Sequence, residues 1–159
     1  MILYLTINGA PIPQPRQRHK IIAARGRKPF VSNYTPAADP VNAYKQAIRL
    51  ACRAQHKGQP VIGPVRMHLE FHFQRPMHLL RNSSPMGTVP HTARGDSDNL
   101  AKAVLDSLAG LLFVNDMQVY DLRARKFYCA FGSRPCTVIE VEWDAARQHD
   151  AAALFAGAE

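Results

Sequence analysis

The sequence predicts one α+β domain: a single mixed β-sheet of about four strands with two main helices packed on it. Three observations carry that expectation. From residue 65 to 73, Val65, Met67, Leu69, Phe71 and Phe73 interleave with Arg66, His68, Glu70 and His72, the period-two pattern of a half-buried strand. Val41, Tyr44, Ala47, Ile48 and Ala51 recur instead at helical spacing, which marks an amphipathic helix. The elements then succeed one another as strand, helix, strand, helix, strand, strand, an order that puts helices on at least one face of a sheet. At 159 residues, 47% hydrophobic and 20% charged, the chain can bury one core and is not disordered in composition. No internal repeat or domain boundary interrupts it, so residues 1–159 read as one domain.

Each element has local support. Residues 2–7 are β-formers closed by Asn8-Gly9, a first strand. Residues 10–36 form a polar stretch with five prolines and a basic run: Arg16, Arg18, His19, Lys20, Arg25, Arg27 and Lys28. A stretch that long is more often functional than structural, and a short hairpin fits inside it with Ile21-Ile22 facing Phe30-Val31. Asp39 is placed to cap a helix whose first position is Pro40, where a missing N–H costs nothing; that helix is expected to run to about residue 56. After the strand at 65–73 comes a second long loop, 75–95, rich in Pro, Ser and Gly. A helix is expected over 98–111 and a strand over 119–128. Residues 132–135, Gly-Ser-Arg-Pro, turn the chain, and a strand returns over 137–143. Residues 145–159 are Ala-rich, a helical or frayed tail.

Lys and Arg number 20 against 12 Asp and Glu, a formal charge of +8. That excess favours a polyanionic partner. Three cysteines, Cys52, Cys129 and Cys136, are an odd count without metal or redox spacing. They read as reduced thiols, which implies a cytoplasmic location. No basic region precedes the first apolar run, so no signal peptide is expected. No apolar stretch approaches the ~20 residues of a membrane span.

The chemistry is concentrated in Asp96-Ser97-Asp98-Asn99-Leu100-Ala101-Lys102. A spacing of two in extended chain points Asp96 and Asp98 the same way. Asp98 and Lys102, four apart, share one face of the helix. The helix N-terminus favours ionised carboxylates. A further acid, Asp116, follows the apolar run 111–114 and can reach the helix start only if the connection doubles back. Converging carboxylates repel unless a cation joins them. Mg²⁺ takes such oxygen ligands, activates water and stabilises charge on a scissile phosphate; Lys102 would neutralise that phosphate as a point charge. Spacing alone equally allows a helix cap and an ordinary surface ion pair.

The stretch Gly-Asp-Ser-Asp-Asn-Leu-Ala-Lys-Ala-Val-Leu-Asp-Ser-Leu, followed by Val-Asn-Asp-Met-Gln-Val-Tyr-Asp-Leu-Arg-Ala-Arg-Lys, resembles the core of the RusA family of Holliday junction resolvases. The pattern is Asp-x-Asp-Asn-Leu-x-Lys, a helix with a further Asp, then an acidic pair before Gln-Val. The likeness is close over residues 91–128 and looser elsewhere, and an ordered set of motifs is more specific than one acid pair. It implies a RusA-like fold and a homodimeric endodeoxyribonuclease dependent on Mg²⁺, with Mn²⁺ as a substitute. Such an enzyme nicks two strands of a four-way DNA junction symmetrically. Carried over, Asp96, Asp98 and Asp116 match the catalytic, metal-binding carboxylates, and Lys102 the catalytic lysine. Three features depart from the pattern: Asn115 replaces the first acid of the pair, Gly95 stands where many relatives have proline, and the 75–95 loop is long.

Other residues are secondary. Arg16, Arg18, Lys20, Arg25, Arg27, Lys28, Arg94, Arg123, Arg125 and Lys126 are read as DNA contacts. His68, Glu70 and His72 match no common zinc spacing and read as a solvated or DNA-facing strand; Glu70 is also a candidate extra metal ligand. Asp106 is placed to orient Lys102, and Asp121 to pair with bases on its strand. Tyr34, Phe30, Tyr44 and Trp143 read as packing residues, and the sequence singles out no aromatic wedge for a junction centre. Two other functions remain open: a branched-DNA-binding module without catalysis, and a nuclease for other branched DNA.

Overall fold

The computed structural model describes residues 1–15 and 36–144, together with the backbone of two short strands between them. The chain forms β1 (Ile2–Asn8), β2 (Arg18–Ile22), β3 (Phe30–Tyr34), α1 (Pro40–Gln55), β4 (Val65–Phe73), β5 (Val89–Pro90), α2 (Ser97–Leu108), β6 (Val119–Tyr128) and β7 (Cys136–Trp143). Arg16, Arg25, Arg27, Lys28 and the expected tail at 145–159 lie outside the described residues. Arg18, Lys20, Phe30 and Tyr34 are described only as backbone positions of β2 and β3.

The main sheet is mixed, in the order β1-β7-β4-β6-β5, one strand more than the four expected. The addition is β5, two residues long and antiparallel to the end of β6. β2 and β3 form the expected hairpin, with Ile21 opposite Val31 and Ile22 opposite Phe30. Asp39 caps α1 as expected, its Oδ1 accepting from Val41 N at 3.0 Å. β6 and β7, separated in sequence by turn residues, are not a hairpin. β4 lies between them, parallel to β6 and antiparallel to β7. The cause is α2: a strand–helix–strand crossover returns the chain parallel to β4, so β7 must pair on the other side.

Both helices pack on one face. Val41, Tyr44, Ile48 and Cys52 from α1 and Leu100, Val104 and Leu108 from α2 meet Leu5, Met67, Leu69, Phe71, Ile139 and Val141 of the sheet. Trp143 belongs to this core, as expected. So does Tyr44, whose hydroxyl lies 2.7 Å from Thr137 Oγ1; burial pushes its pKa up to about 12. α2 stops three residues short of the expected 111. Ala109 is its C-cap, and Gly110 adopts φ 73°, a left-handed turn natural to glycine. Leu112 and Phe113 remain buried beyond that turn.

The other sheet face carries the polar residues of β4. Arg66 pairs with Glu142 and Asp121, His68 with Glu140, and Glu70 with both His72 and Arg125. Among the described residues no helix is long and apolar enough to cross a membrane. The three cysteines are free, Cys52 and Cys129 being buried.

Candidate active site

Asp96 is the N-cap of α2, with extended backbone (φ −64°, ψ 137°) and no hydrogen bond from its side chain to the helix. An N-cap carboxylate ordinarily accepts a backbone N–H of the first turn; here its oxygens stay unspent. Asp98 follows in the first turn, where the helix end favours negative charge. Both are exposed, and neither carboxylate has a hydrogen bond or ion pair with a described residue. Lys102 is exposed one turn further along, equally unpartnered.

The approach to Asp96 is held from three sides. Lys126 Nζ donates to Gly95 O at 2.7 Å and to Ala93 O at 3.4 Å. Gly95 has φ 105°, a backbone conformation that proline's ring forbids, so the chain enters α2 by a route closed to proline. Gln14 N donates to Asn99 O at 2.9 Å. That bond ties residues 9–15 to the first turn of α2. His91 stacks on Phe73 at 4.1 Å between ring centroids and lies against Tyr128 at 4.6 Å. Burial, and then the charge of Lys126, push its pKa down.

Asp116 does not join this group. The chain does double back after α2, but Asp116 lies before the return, in a 3-10 turn at 116–118 capped by Asn115. Gln118 fastens that turn to Val61 O and Gly63 O, each at 2.9 Å, beside the start of β4. β6 then carries Lys126, not Asp116, to the head of α2. Asp96 therefore stands at the head of α2 and Asp116 beyond its other end, and the 12-residue helix between them is roughly 18 Å long at 1.5 Å per residue. Among the described residues no three His, Cys, Asp or Glu side chains gather as a metal site.

Other residues fall where sequence did not place them. Asp106 does not serve Lys102: its carboxylate accepts from Lys45 Nζ of α1 at 2.9 Å, fastening the two helices together. Arg123 and Arg125 stand on the open sheet face, against Asp121 and Glu70, whereas Lys126 points to the helix side. The three bases thus do not form one patch. Arg94 is exposed just before Gly95. Asp121 pairs with Arg66 and Arg123, the role expected of it. Glu70 lies on the sheet face away from α2, so one chain does not bring it to Asp96.

Sequence reasoning missed Arg75, which is 4% exposed. Its guanidinium donates to Cys129 O at 2.6 Å, Leu79 O at 3.1 Å and Gly87 O. Its acceptors are backbone carbonyls of two loops, its own and the one at 129–135, and a carbonyl acceptor leaves no side-chain signal in the sequence.

The geometry at α2 suits a hard cation. Two exposed carboxylates with unspent oxygens, two residues apart at the head of one helix, are of the kind Mg²⁺ uses when it keeps several waters and takes further oxygens from substrate phosphates. The chain is matched over residues 8–142 by the sequence model of a family described as endodeoxyribonuclease RusA. It is also 30% identical to the uncharacterized protein YqaN of Bacillus subtilis (strain 168) over 131 residues, 77% of this chain and 85% of YqaN.

Proposed function

Starting from the fact that this chain belongs to the RusA family of endodeoxyribonucleases, and so is a DNA-cleaving hydrolase, we propose that it resolves four-way DNA junctions by paired, symmetric, Mg²⁺-dependent nicks. The observation that carries this reading is the pair of unspent carboxylates, Asp96 and Asp98, at the head of α2 with Lys102 one turn away.

In this mechanism Asp96 and Asp98 hold the ion, which when bound supplies an activated water and stabilises charge on the scissile phosphate. Lys102 faces that phosphate as a point charge and neutralises part of its negative charge. Gly95 and Lys126 fix where Asp96 points. Arg94, exposed just before Gly95 and Asp96, contributes phosphate contacts, as do Arg16, Arg18, Lys20, Arg25, Arg27 and Lys28.

The working unit is a two-fold homodimer. A four-way junction has approximate two-fold symmetry, and one chain has one Asp96–Asp98 pair, hence one cut. The far placement of Asp116 supports the same conclusion. A carboxylate at the opposite end of α2 reaches a metal at Asp96 and Asp98 only from a second copy. Exposed Val114 and Met117 on either side of it suit burial against another protein surface.

A panel of labelled four-way, three-way, flap and linear DNAs, incubated with and without Mg²⁺, tests the proposal. Matched nicks on opposite strands of the four-way junction, only with the ion, are expected. Asp98→Asn should bind the junction and not cut it. Equal cutting of linear duplex, or cutting by Asp98→Asn at the wild-type rate, would overturn the assignment.

A further inference from the structure

Four large apolar side chains stand exposed at the end of the sheet where β4 and β6 finish: Met77 at 84%, Met86 at 67%, Phe131 at 41% and Leu80 at 37%. They belong to two loops, 75–88 and 129–135, locked together by Arg75. Its three donors reach Cys129 O of one loop and Leu79 O and Gly87 O of the other. Phe131 N donates to Met86 O at 2.8 Å, and the Arg75 guanidinium lies 5.8 Å from the Phe131 ring centroid. A buried cation satisfied only by carbonyls makes charge-assisted bonds, which are stronger than neutral ones. Exposed apolar residues scattered singly mean little, but four on one rigid brace form a patch, and such patches mark contact surfaces.

Charge says what the patch meets. From Arg75 to Gly95 there is no Asp or Glu, but there are Arg81, Arg94 and His78 besides the buried Arg75; from Cys129 to Pro135 there is again no acid, and Arg134. An exposed apolar tip carried on two acid-free loops that bear Arg81 and Arg134 is complementary in charge to nucleic acid: phosphates outside, base faces within. The tip also shares an end of the molecule with Asp96. Cys129 N donates to Phe73 O, and the Phe73 ring lies beside Gly95.

We infer that this tip, led by Phe131 and Met86, is a wedge that enters the base stack at the branch point of the DNA. The inference rests on the branched-DNA nuclease reading above. Apolar side chains inserted between base steps unstack them, and a kinked or opened branch then lets more of the protein reach the backbone. Arg75 gives the wedge its stiffness, because a tip free to fold back would yield before the stacked bases do.

The test uses a four-way junction carrying 2-aminopurine beside the branch point, in buffer without divalent metal so that nothing is cut. Saturating wild-type protein should raise the fluorescence several-fold, as expected of an unstacked base. The Phe131→Ser/Met86→Ser variant, altered only at exposed positions, should bind within a few-fold of wild type yet give little rise. With Mg²⁺ it should cut intact junctions at least tenfold more slowly. It should cut junctions built with unpaired bases at the branch at close to the wild-type rate. Arg75→Met, which keeps all four apolar side chains, should also lose most of the rise. Tight binding by wild type with no rise would overturn the wedge alone, as would a full rise with the double variant. A double variant that falls apart in sedimentation would show the tip to be a protein–protein contact and overturn the wedge too. Failure of wild type to bind any branched DNA would remove the nuclease reading and the wedge with it.

Discussion

Replacing Lys126 with methionine separates two roles that one lysine beside a nuclease site can have. The structure spends its ammonium on Gly95 O at 2.7 Å, with a weaker bond of 3.4 Å to Ala93 O. The first is a charge-assisted bond to a part-buried carbonyl, of a kind worth about 1.5–3 kcal/mol. The second is long and exposed and adds little. Methionine keeps the apolar stem, and the two carbonyls regain water, so the net loss should be about 1–2 kcal/mol. In a chain of this size that lowers Tm by roughly 3–6 °C. The same change removes a charge that depresses the pKa of His91, so that pKa should rise while burial still holds it below its ordinary value. Cutting should slow by about tenfold, the equivalent of 1.4 kcal/mol, because Gly95 no longer fixes Asp96. Calorimetry, His91 ring resonances followed against pH, and single-turnover cleavage read the three effects. An unchanged Tm and unchanged His91, with a salt slope of binding reduced by about one phosphate, would refute this account. Lys126 would then be a phosphate contact, the role its sequence position suggests.

Three further outcomes are expected. Junction affinity should fall linearly on a log–log plot against salt, with a slope of about −0.9 per phosphate contacted; a flat plot would show that the +8 charge does not act on DNA. Tyr44→Phe should cost about 1–2 kcal/mol in urea denaturation, because Thr137, fully buried, loses its partner; a cost near zero would mean that the hydroxyl pair contributes nothing. The lowered pKa of His91 means that the unfolded chain binds its proton first. Its stabilising contribution is therefore complete above about pH 6.5 and is lost as pH falls from there through the folded-state pKa. His91→Phe, which keeps the stack on Phe73, should flatten that part of the stability curve, and an unaltered curve would assign the slope elsewhere.

Much of the fold was legible because it is written in local periodicity. β4 shows a clean alternation and forms as read. Asp39-Pro40 fixed the start of α1, and Ile21-Ile22 against Phe30-Val31 gave the hairpin register. What failed was non-local. β5 has two residues, too few for any period. The apolar run Leu111-Leu112-Phe113 resembles more helix, yet Gly110 ends α2, and Leu112 and Phe113 reach the core from beyond that turn. β6 and β7 look like a hairpin because turn residues join them, but pairing partners are chosen by the α2 crossover. At the candidate site, the placement of Asp96, Asp98 and Lys102 along the start of one helix was legible from their spacing. The position of Asp116 was not, since it depends on where the chain reverses, and neither was the use of Lys126 and Arg75 on backbone carbonyls.

The claim on which the rest depends is that each cutting site combines Asp96 and Asp98 of one chain with Asp116 of another. Asp98→Asn and Asp116→Asn chains should each be inert on a four-way junction. Refolded together, the mixed dimers purified by two tags hold one site with Asp98 and Asp116 both intact and one with both replaced. With Mg²⁺, such dimers should nick one strand per junction, without the matched second cut. Mixed dimers that bind the junction and make no nick would contradict the account, as would either single variant that cuts at the wild-type rate.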